Sequence, residues 1–387
     1  MDREIRIYLN NYQPVPQCLL EPPAHLFPRK SLTVDLSKLY HHYYMDTYGI
    51  APPLPDPTHF EHVQFLTSEP SFRILGDGIG QGTTARRNKS TELGQAFCRW
   101  FLEEHLGISH FAHISELLKR QAVRPIAGLT IQRVDDGDTP DYFCTDNART
   151  VFLAEAKGRY TSIGFNTREF SSWRKQFSRI AVLDATRTPK RVKGHIVATR
   201  FATEKDSGKI QSTIFAEDPS TLGEEDLDRN ERSVLASAIT CIHYSRLMQK
   251  IDQPILSWAL FNEQRLPVET IIPTVLWRLG IDNRSNRQFV GGYYPGKSGQ
   301  PAYDFTDGNI RPRRGDPLRL DQSDAIFVGI ELKVFERLIQ FCRQGESILS
   351  LPLLSEEQRI YSAISMLKDG SIIGPLEFFT PVGNRQF

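Results

Sequence analysis

Two apolar segments joined by a polar tetrapeptide constrain the fold more than any other feature of this sequence. They are DYFCT (141–145) and TVFLAEAK (150–157), and the DNAR between them is typical of a turn. Both segments are short and rich in β-branched and aromatic residues, so we predict two strands paired as a hairpin. Such a hairpin places the start of the first strand beside the end of the second.

Charged residues lie at the two ends that this hairpin brings together. Asp141 begins the first strand, and Glu155 and Lys157 end the second. Because side chains alternate between the faces of a strand, Glu155 and Lys157 point the same way. Two adjacent carboxylates repel each other, and such a site normally holds a divalent cation. The oxygen ligands and the lack of cysteine favour Mg²⁺, with Mn²⁺ as a substitute.

Pro140-Asp141, followed by Glu155-Ala156-Lys157, resembles the motif of the PD-(D/E)xK nuclease superfamily. The resemblance implies a metal-dependent phosphodiesterase, an endonuclease rather than an exonuclease, that acts on DNA rather than RNA. It assigns the metal to Asp141, Glu155 and the backbone carbonyl of Ala156, and it gives Lys157 the task of assisting the attacking water. A role in bacterial or phage-related defence follows from the superfamily's common uses.

Two further residues match positions that some members of this superfamily use. Glu92 stands on the first predicted core helix, where some members carry an additional glutamate, which makes it a catalytic candidate. Gln176 is a looser match to a glutamine on the helix after the lysine strand. The alternative is structural: Glu155 and Lys157 would form only a surface ion pair at a strand end.

The segments around the hairpin predict a compact α/β unit. We expect a helix that starts at Ser90 or Thr91 and ends at Gly107, because serine and threonine cap helices and glycine closes them. The other predicted elements are a weaker helix at 113–121, a strand at 128–134, the hairpin, a helix at 168–184 and a strand at 195–202. The resulting order, helix-strand-strand-strand-helix-strand, is similar to the restriction-endonuclease-like core with its mixed sheet.

The chain as a whole is long enough for more than this core. Residues 1–90 are expected to form an N-terminal extension, irregular except for a helix within 35–50 and ending in a glycine-rich, exposed loop over 75–90. Residues 91–203 form the nuclease-like core. Residues 204–387 form a mixed, helix-rich C-terminal domain of unknown role, with helices at 229–251, 332–343 and 355–368. A second copy of the chain or a partner protein would bind through that domain.

Basic residues are concentrated directly after the motif. From 157 to 200 the chain carries eleven Lys and Arg residues but only Glu169 and Asp184 as acids, although its overall net charge is +1. A phosphate backbone is attracted to such a surface; a solvated basic helix face is the alternative. The residues expected to contact nucleic acid are Arg159, Arg168, Arg174, Lys175 and Arg179.

Cysteine usage and hydropathy bear on the compartment. The five cysteines are scattered, without the spacing of a disulfide scaffold or a zinc site. The first residues lack the pattern of a signal peptide, and no stretch approaches the roughly 20 apolar residues that span a bilayer. These features favour a cytoplasmic protein without a membrane partner.

Three other interpretations compete with the nuclease. GGYYPGKS (291–298) fits the phosphate-loop pattern, but Gly299 and Pro301 stand where a helix should begin, which favours a surface loop. A second E-x-K, at 331–333, is better explained as a helix start. The remaining alternative is a catalytically inactive, nuclease-like module that binds nucleic acid or a partner protein.

Overall fold

The computed structural model describes most of the chain in nine segments. These are residues 2–47, 65–146, 150–220, 227–280, 287–294, 303–304, 310–312, 325–351 and 364–387. The chain divides into two compact units. The first comprises residues 2–46 and 65–243, and the second consists mainly of residues 244–387.

The first unit contains twelve of the strands found among the described residues. They are β1 (Asp2–Asn10), β2 (Ser31–Asp35), β3 (Arg73–Ile74), β4 (His110–His113), β5 (Leu129–Arg133), β6 (Tyr142–Thr145), β7 (Val151–Arg159), β8 (Ile180–Asp184), β9 (Pro189–Lys190), β10 (Lys193–Arg200), β11 (Ala202–Thr203) and β12 (Thr213–Glu217). The second unit contains β13 (Pro273–Leu279), β14 (Gln288–Tyr294), β15 (Tyr303–Asp304), β16 (Arg311–Pro312), β17 (Ile326–Glu331), β18 (Ser365–Met366), β19 (Ser371–Pro375) and β20 (Phe379–Gln386).

Seven α-helices occur in the described segments. They are α1 (Leu36–Thr47), α2 (Thr83–Leu106), α3 (Ile114–Val123), α4 (Arg168–Gln176), α5 (Arg229–Lys250), α6 (Pro254–Asn262) and α7 (Leu332–Gln344). In the described part of the chain, no helix combines the length and the apolar character that a bilayer crossing requires.

A seven-stranded mixed sheet forms the framework of the first unit, with the strand order β2-β1-β12-β10-β7-β6-β4. β7 lies inside this sheet, antiparallel to β6 and parallel to β10. Its apolar residues Val151, Leu153 and Ala154 are buried, as expected for a strand covered on both faces. The prediction of an α/β protein with a mixed sheet is therefore confirmed.

The first strand of the predicted core is not the strand beside β6. Residues 129–133 do form a strand, β5, but β5 pairs with β8 in a separate three-stranded sheet. The neighbour of β6 is β4, a four-residue strand that the sequence analysis did not predict. The helix predicted over 168–184 likewise ends at Gln176, and residues 180–184 form β8.

The long helix α2 packs against β7 at a point where two glycines meet. A Cβ atom on Gly158 would lie 1.8 Å from the Ser90 carbonyl oxygen, and one on Gly94 would lie 2.4 Å from the Gly158 nitrogen. Only glycine permits this approach. The helix ends at Gly107, in the left-handed conformation with φ 72°, as predicted.

The predicted start of this helix was wrong. α2 begins at Thr83, so the second half of the segment expected to be a glycine-rich loop is helical. The Ser90 and Thr91 hydroxyls donate to the Arg87 carbonyl oxygen, one turn earlier, instead of capping a helix end. Hydroxyl groups inside a helix commonly make this bond. Ser90 and Thr91 therefore do not mark the start of a helix here.

The first unit differs from the predicted 91–203 domain at both boundaries. β1 and β2, from the expected irregular extension, belong to the central sheet. β12, assigned to the C-terminal domain, pairs with both β10 and β1 and so connects the N-terminal strands to the core. Long-range strand pairing therefore determines the extent of this unit.

The second unit is built on a six-stranded antiparallel sheet with the order β18-β19-β17-β14-β13-β20. Its core contains Trp277, Phe327 and Phe379, and the last two rings stack at 4.2 Å between centroids. The helix predicted at 332–343 is α7. The described part of the helix predicted at 355–368 instead contains β18, so strands rather than helices form this core.

Candidate active site

The pairing of β6 with β7 places Asp141 beside Glu155. Tyr142 lies opposite Ala154, so the next pair along the ladder is Asp141 and Glu155. The Asp141 N–H donates to the Ala154 carbonyl oxygen at 3.0 Å. Asp141 Oδ2 accepts a hydrogen bond from the Ala156 N–H at 2.8 Å. The structure thus brings together the residues that the hairpin argument placed at one site.

Glu155 is the most constrained of these residues. Its side chain is completely buried, and in the described part of the chain no backbone N–H donates to either carboxylate oxygen. Its only polar neighbours there are Lys157, whose Nζ forms an ion pair with Oε1, and the Asp141 carboxylate. Burial, and then the proximity of Asp141, raises the pKa of the Glu155 carboxyl well above its usual value.

The pKa values of Asp141 and Lys157 are shifted by the same surroundings. Partial burial raises the pKa of Asp141, although Lys157 and the Ala156 N–H oppose that shift. Burial alone would lower the pKa of Lys157, but the carboxylates of Glu155 and Asp141 outweigh it, and the pKa of the ammonium group rises. One ammonium group therefore faces two carboxylates, and the site carries an excess of negative charge when all three are ionised.

The donor set fits a hard divalent cation. In a β-strand, the N–H and C=O of one residue point to the same neighbouring strand. The Ala156 carbonyl therefore points to the side of β7 on which its N–H bonds to Asp141. Two carboxylates and one carbonyl are oxygen ligands, and Mg²⁺ keeps several waters in such sites. In the described segments no group of three or more His, Cys, Asp and Glu side chains could hold a metal ion, so the carbonyl and water would have to complete the coordination.

Glu92 and Gln176 occupy different surroundings. Glu92 Oε2 accepts a hydrogen bond from Tyr43 Oη at 2.9 Å and pairs with Lys89 Nζ at 3.2 Å. These contacts tie Glu92 to α1 and to its own helix. Gln176 lies at the end of α4 and is 3% exposed, and it lines the same cleft as Lys157.

The five predicted nucleic-acid contacts separate into three groups. Arg159 lines the cleft, and Arg168 and Lys175 are exposed on α4. Arg179 donates to the Asp138 carbonyl oxygen at 2.8 Å. Arg174 donates to both carboxylate oxygens of the buried Glu217, at 2.6 and 2.7 Å, and so stabilises the sheet instead of presenting a free cation.

Acids from beyond residue 200 neutralise much of the basic excess between residues 157 and 200. Lys193 pairs with Asp218, Arg200 with Asp206, and Arg174 with Glu217. A count of charged residues between 157 and 200 does not include these ion pairs, because the acids lie on β12 and the turns before and after it. The surface is therefore less positive than the sequence analysis expected.

A buried polar cluster that the sequence analysis missed lies behind Asp141. Asp46 is almost completely buried, and it accepts from Arg99 Nη1 at 3.1 Å and lies 3.2 Å from His113 Nε2. Burial opposes ionisation of Asp46, but His113, Arg99 and Tyr142 more than offset it and hold its pKa well below the usual range. These residues come from α1, α2, β4 and β6, so no sequence spacing could reveal them.

A cleft of about 660 Å³ opens beside the three residues of the motif. Its wall contains the first turns of α2, the end of β7 and one face of α4. Lys157 belongs both to the cleft lining and to the ion pair with Glu155. Of the motif residues, Lys157 is the one in the lining of this cleft.

The competing phosphate loop lies largely outside the described residues, which include only its first four positions, 291–294, as part of β14. Glu331, from the second E-x-K, is the residue before the first turn of α7. That position agrees with the helix-start interpretation.

Comparison of the chain with protein-family models, with curated proteins and with solved structures finds no match in any of the three.

Proposed function

We propose that this protein is a metal-dependent nuclease that hydrolyses phosphodiester bonds, with DNA as the polymer. The observation that carries the proposal is the state of Glu155. A fully buried carboxylate whose only cationic partner among the described residues is one lysine, beside a second carboxylate, is costly in a folded protein unless it serves a ligand. A divalent cation is the ligand that this pair of acids requires.

The arrangement of elements around the site supports the same function. Helix α2, the antiparallel strands β4, β6 and β7, helix α4 and the parallel strand β10 follow one another along the chain. With β4 in place of the expected first strand, this order is similar to the helix-strand-strand-strand-helix-strand order that the resemblance to restriction-endonuclease-like proteins implies. The helix α3 and the strands β5, β8 and β9 are additions to that order.

Asp141, Glu155 and the Ala156 carbonyl would hold the cation. A bound Mg²⁺ would polarise a phosphoryl oxygen and lower the pKa of a water molecule. The hydrogen bond from the Ala156 N–H fixes the Asp141 carboxylate, and the register of the hairpin fixes Glu155 beside it. This chain therefore supplies two ligands whose positions are set by main-chain bonds.

In addition to the cation, Lys157 supplies a positive charge to the reaction. Its side chain is 28% exposed and lines the cleft, and it pairs with Glu155 when no cation is bound. The raised pKa of Lys157 keeps it protonated at neutral pH. In that state it can orient the attacking water or stabilise the charge that develops on the phosphate.

Cleavage assays with single variants test this proposal. The purified chain is incubated with linear, circular and single-stranded DNA and with RNA, in Mg²⁺ or in EDTA. We expect cleavage only with the metal. Asp141→Asn, Glu155→Gln and Lys157→Met should each reduce the rate about 100-fold or more.

Asp136→Asn serves as the matched control, because Asp136 is an exposed acid in the loop before the site and should leave the rate unchanged. If all three site variants cut as fast as the wild type, the proposal is wrong. If the wild type binds DNA in a salt-sensitive way but never cuts it, the binding module without catalysis is the correct alternative.

A further inference from the structure

The cleft beside the motif is lined by more basic than acidic side chains. The acids in the lining are Asp77 and Asp138. The basic residues are Arg86, Arg87, Lys157 and Arg159. Whether such a surface binds an anion depends on which of these cations are already neutralised by partners within the chain.

Two of the four cations have close partners. Asp77 Oδ2 accepts a hydrogen bond from Arg86 Nη1 at 2.8 Å, so this pair ties the glycine-rich segment to α2. Lys157 forms an ion pair with Glu155 and belongs to the motif itself. The remaining cations, Arg87 and Arg159, are the ones whose surroundings decide what the cleft can bind.

Arg87 brings an unneutralised charge to the α2 side of the cleft. It is exposed, lies in the second turn of α2 and has no ion-pair partner among the described residues. The first turn of this helix contains no acid. An anion in the cleft therefore meets no competitor for the Arg87 guanidinium on this helix turn.

Arg159 is held on the β7 side of the cleft by an aromatic ring. Its guanidinium carbon lies 5.2 Å from the centre of the buried Trp173 ring, and both residues line the cleft. In the described segments its acidic partner is Glu169, at 3.9 Å between Nη1 and Oε1, and the Glu169 side chain is exposed. Because an exposed pair at that distance is weak, Arg159 retains most of its charge for a ligand.

Arg159 and Lys157 project from the same face of β7. Alternate residues of a β-strand point the same way and lie about 6.6 Å apart. The phosphates of neighbouring nucleotides in one nucleic-acid strand are separated by a comparable distance. A nucleic-acid strand whose scissile phosphate meets Lys157 can therefore place its next phosphate against Arg159.

The segment before α2 is fixed against the residue that follows Arg159. Tyr160 Oη accepts a hydrogen bond from the Ile79 N–H at 3.0 Å. A Cβ atom on Gly78, whose φ is 121°, would lie 2.9 Å from the Tyr160 ring, so glycine permits this close approach. These contacts join the start of α2, which carries Arg87, to the end of β7, which carries Arg159.

From these contacts we propose that Arg159 and Arg87 bind the phosphate backbone of the substrate, Arg159 at the phosphate next to the one that is cleaved and Arg87 at a phosphate on the α2 side of the cleft. This inference rests on the proposed function, since it names the residues that hold the polymer while Lys157 meets the scissile phosphate. Arginine suits this task, because its planar group donates two hydrogen bonds to one phosphate. Neither contact reads the base sequence.

Fluorescence anisotropy in EDTA measures these contacts without cleavage. The full chain, Arg87→Gln and Arg159→Gln are each titrated against a labelled DNA duplex of about 20 base pairs, at salt concentrations from about 50 to 200 mM. At the lowest salt concentration each variant should bind about tenfold more weakly than the wild type. Each should also reduce the slope of log affinity against log salt by about 0.9, which corresponds to the loss of one phosphate contact.

Two controls separate binding from structure. Lys119→Gln removes a positive charge from an exposed residue of α3 outside the cleft lining, and it should leave the salt slope unchanged. Arg159→Lys keeps the charge but loses the planar group beside Trp173, and it should retain the wild-type salt slope. If Arg159 served only to pack against Trp173, Lys and Gln at this position would weaken binding alike.

A free nucleotide carries the same phosphate chemistry as a nucleic-acid backbone, so deoxythymidine monophosphate and inorganic phosphate are added as competitors. A backbone site should release the duplex only at millimolar concentrations of either, because each competitor replaces a single contact out of several. Release at micromolar concentrations would overturn the inference and assign the cleft to a small phosphate compound.

The inference is also overturned if the duplex does not bind, or if Arg87→Gln or Arg159→Gln keeps the wild-type salt slope. Mg²⁺-dependent cleavage is measured separately, and there both variants should raise KM while kcat stays within about twofold, since the contacts are the same before and during the reaction. Cleavage that neither variant affects refutes only the backbone contacts. Salt-sensitive binding through these arginines without cleavage refutes only the nuclease.

Discussion

Two buried glutamates in the first unit differ in how their charges are satisfied. Glu217 is completely buried, and it accepts hydrogen bonds from Arg174 and from Asn10. Glu155 is equally buried, but among the described residues Lys157 is its only counter-ion and no backbone N–H donates to it. The first arrangement stabilises the sheet, and the second is what a metal ligand requires before the metal binds.

This contrast predicts opposite effects of the same substitution. In EDTA near neutral pH, Glu155→Gln should raise the melting temperature by about 2–4 °C, because it removes a buried charge next to Asp141. The sign agrees with the raised pKa of Glu155: the folded state favours the protonated carboxyl, so ionisation at neutral pH destabilises it. Thermal unfolding followed by circular dichroism measures the shift.

Glu217→Gln is the matched control and should lower the melting temperature, since it leaves the Arg174 guanidinium without its counter-ion. Adding Mg²⁺ should stabilise the wild type and not Glu155→Gln. A Glu155→Gln variant that is less stable than the wild type in EDTA would show that the ion pair with Lys157 is structural.

At this scale the sequence predicts only those neighbours that local periodicity determines. Asp141, Glu155 and Lys157 meet because strand alternation and a short turn bring them together. The hydrogen bond from Tyr43 to Glu92 and the pairing of Arg174 with Glu217 join residues far apart in the chain. Such partners depend on tertiary packing, which no pattern within a segment encodes.

At the scale of elements, the contact between α2 and β7 fixes the position of the motif strand. Gly158 directly follows Lys157, and its hydrogen atoms face the Ser90 carbonyl of the helix. A methyl group there would meet that oxygen at 1.8 Å, so the helix or the strand would have to move. The cleft, which lies between these elements and α4, would move with them.

Gly158→Ala should therefore destabilise the protein by about 3 kcal/mol and reduce cleavage even though no site side chain changes. Urea unfolding measures the first effect. Gly208→Ala is the control, because nothing lies within 4 Å of a Cβ atom at that turn position and its effect should stay below about 1 kcal/mol. Equal stability of the two variants would contradict this account of the packing.

The elements that the sequence predicted well are those with long periodic patterns. Helices α5 and α7 lie where they were predicted, at 229–251 and 332–343. β4 was missed because four residues, HFAH, carry no detectable period. β5 was recognised as a strand. Its partner strand, however, depends on tertiary packing, which the sequence of the strand itself does not determine.

At the scale of the whole molecule, charge and domain extent both depend on long-range pairing. The overall charge of +1 agrees with a structure in which basic residues near the motif meet acids from beyond residue 200. The same pairing places β1, β2 and β12 in one sheet, which moves the boundaries of the first unit away from those suggested by composition. A linear count could predict neither result.

Diffraction from crystals soaked in Mn²⁺, recorded at the manganese absorption edge, tests the central claim most directly. The account predicts one anomalous peak within bonding distance of the Asp141 and Glu155 carboxylates and the Ala156 carbonyl oxygen, with the Lys157 ammonium group displaced from Glu155. Density without a peak at that position, with Lys157 still paired to Glu155, would contradict it.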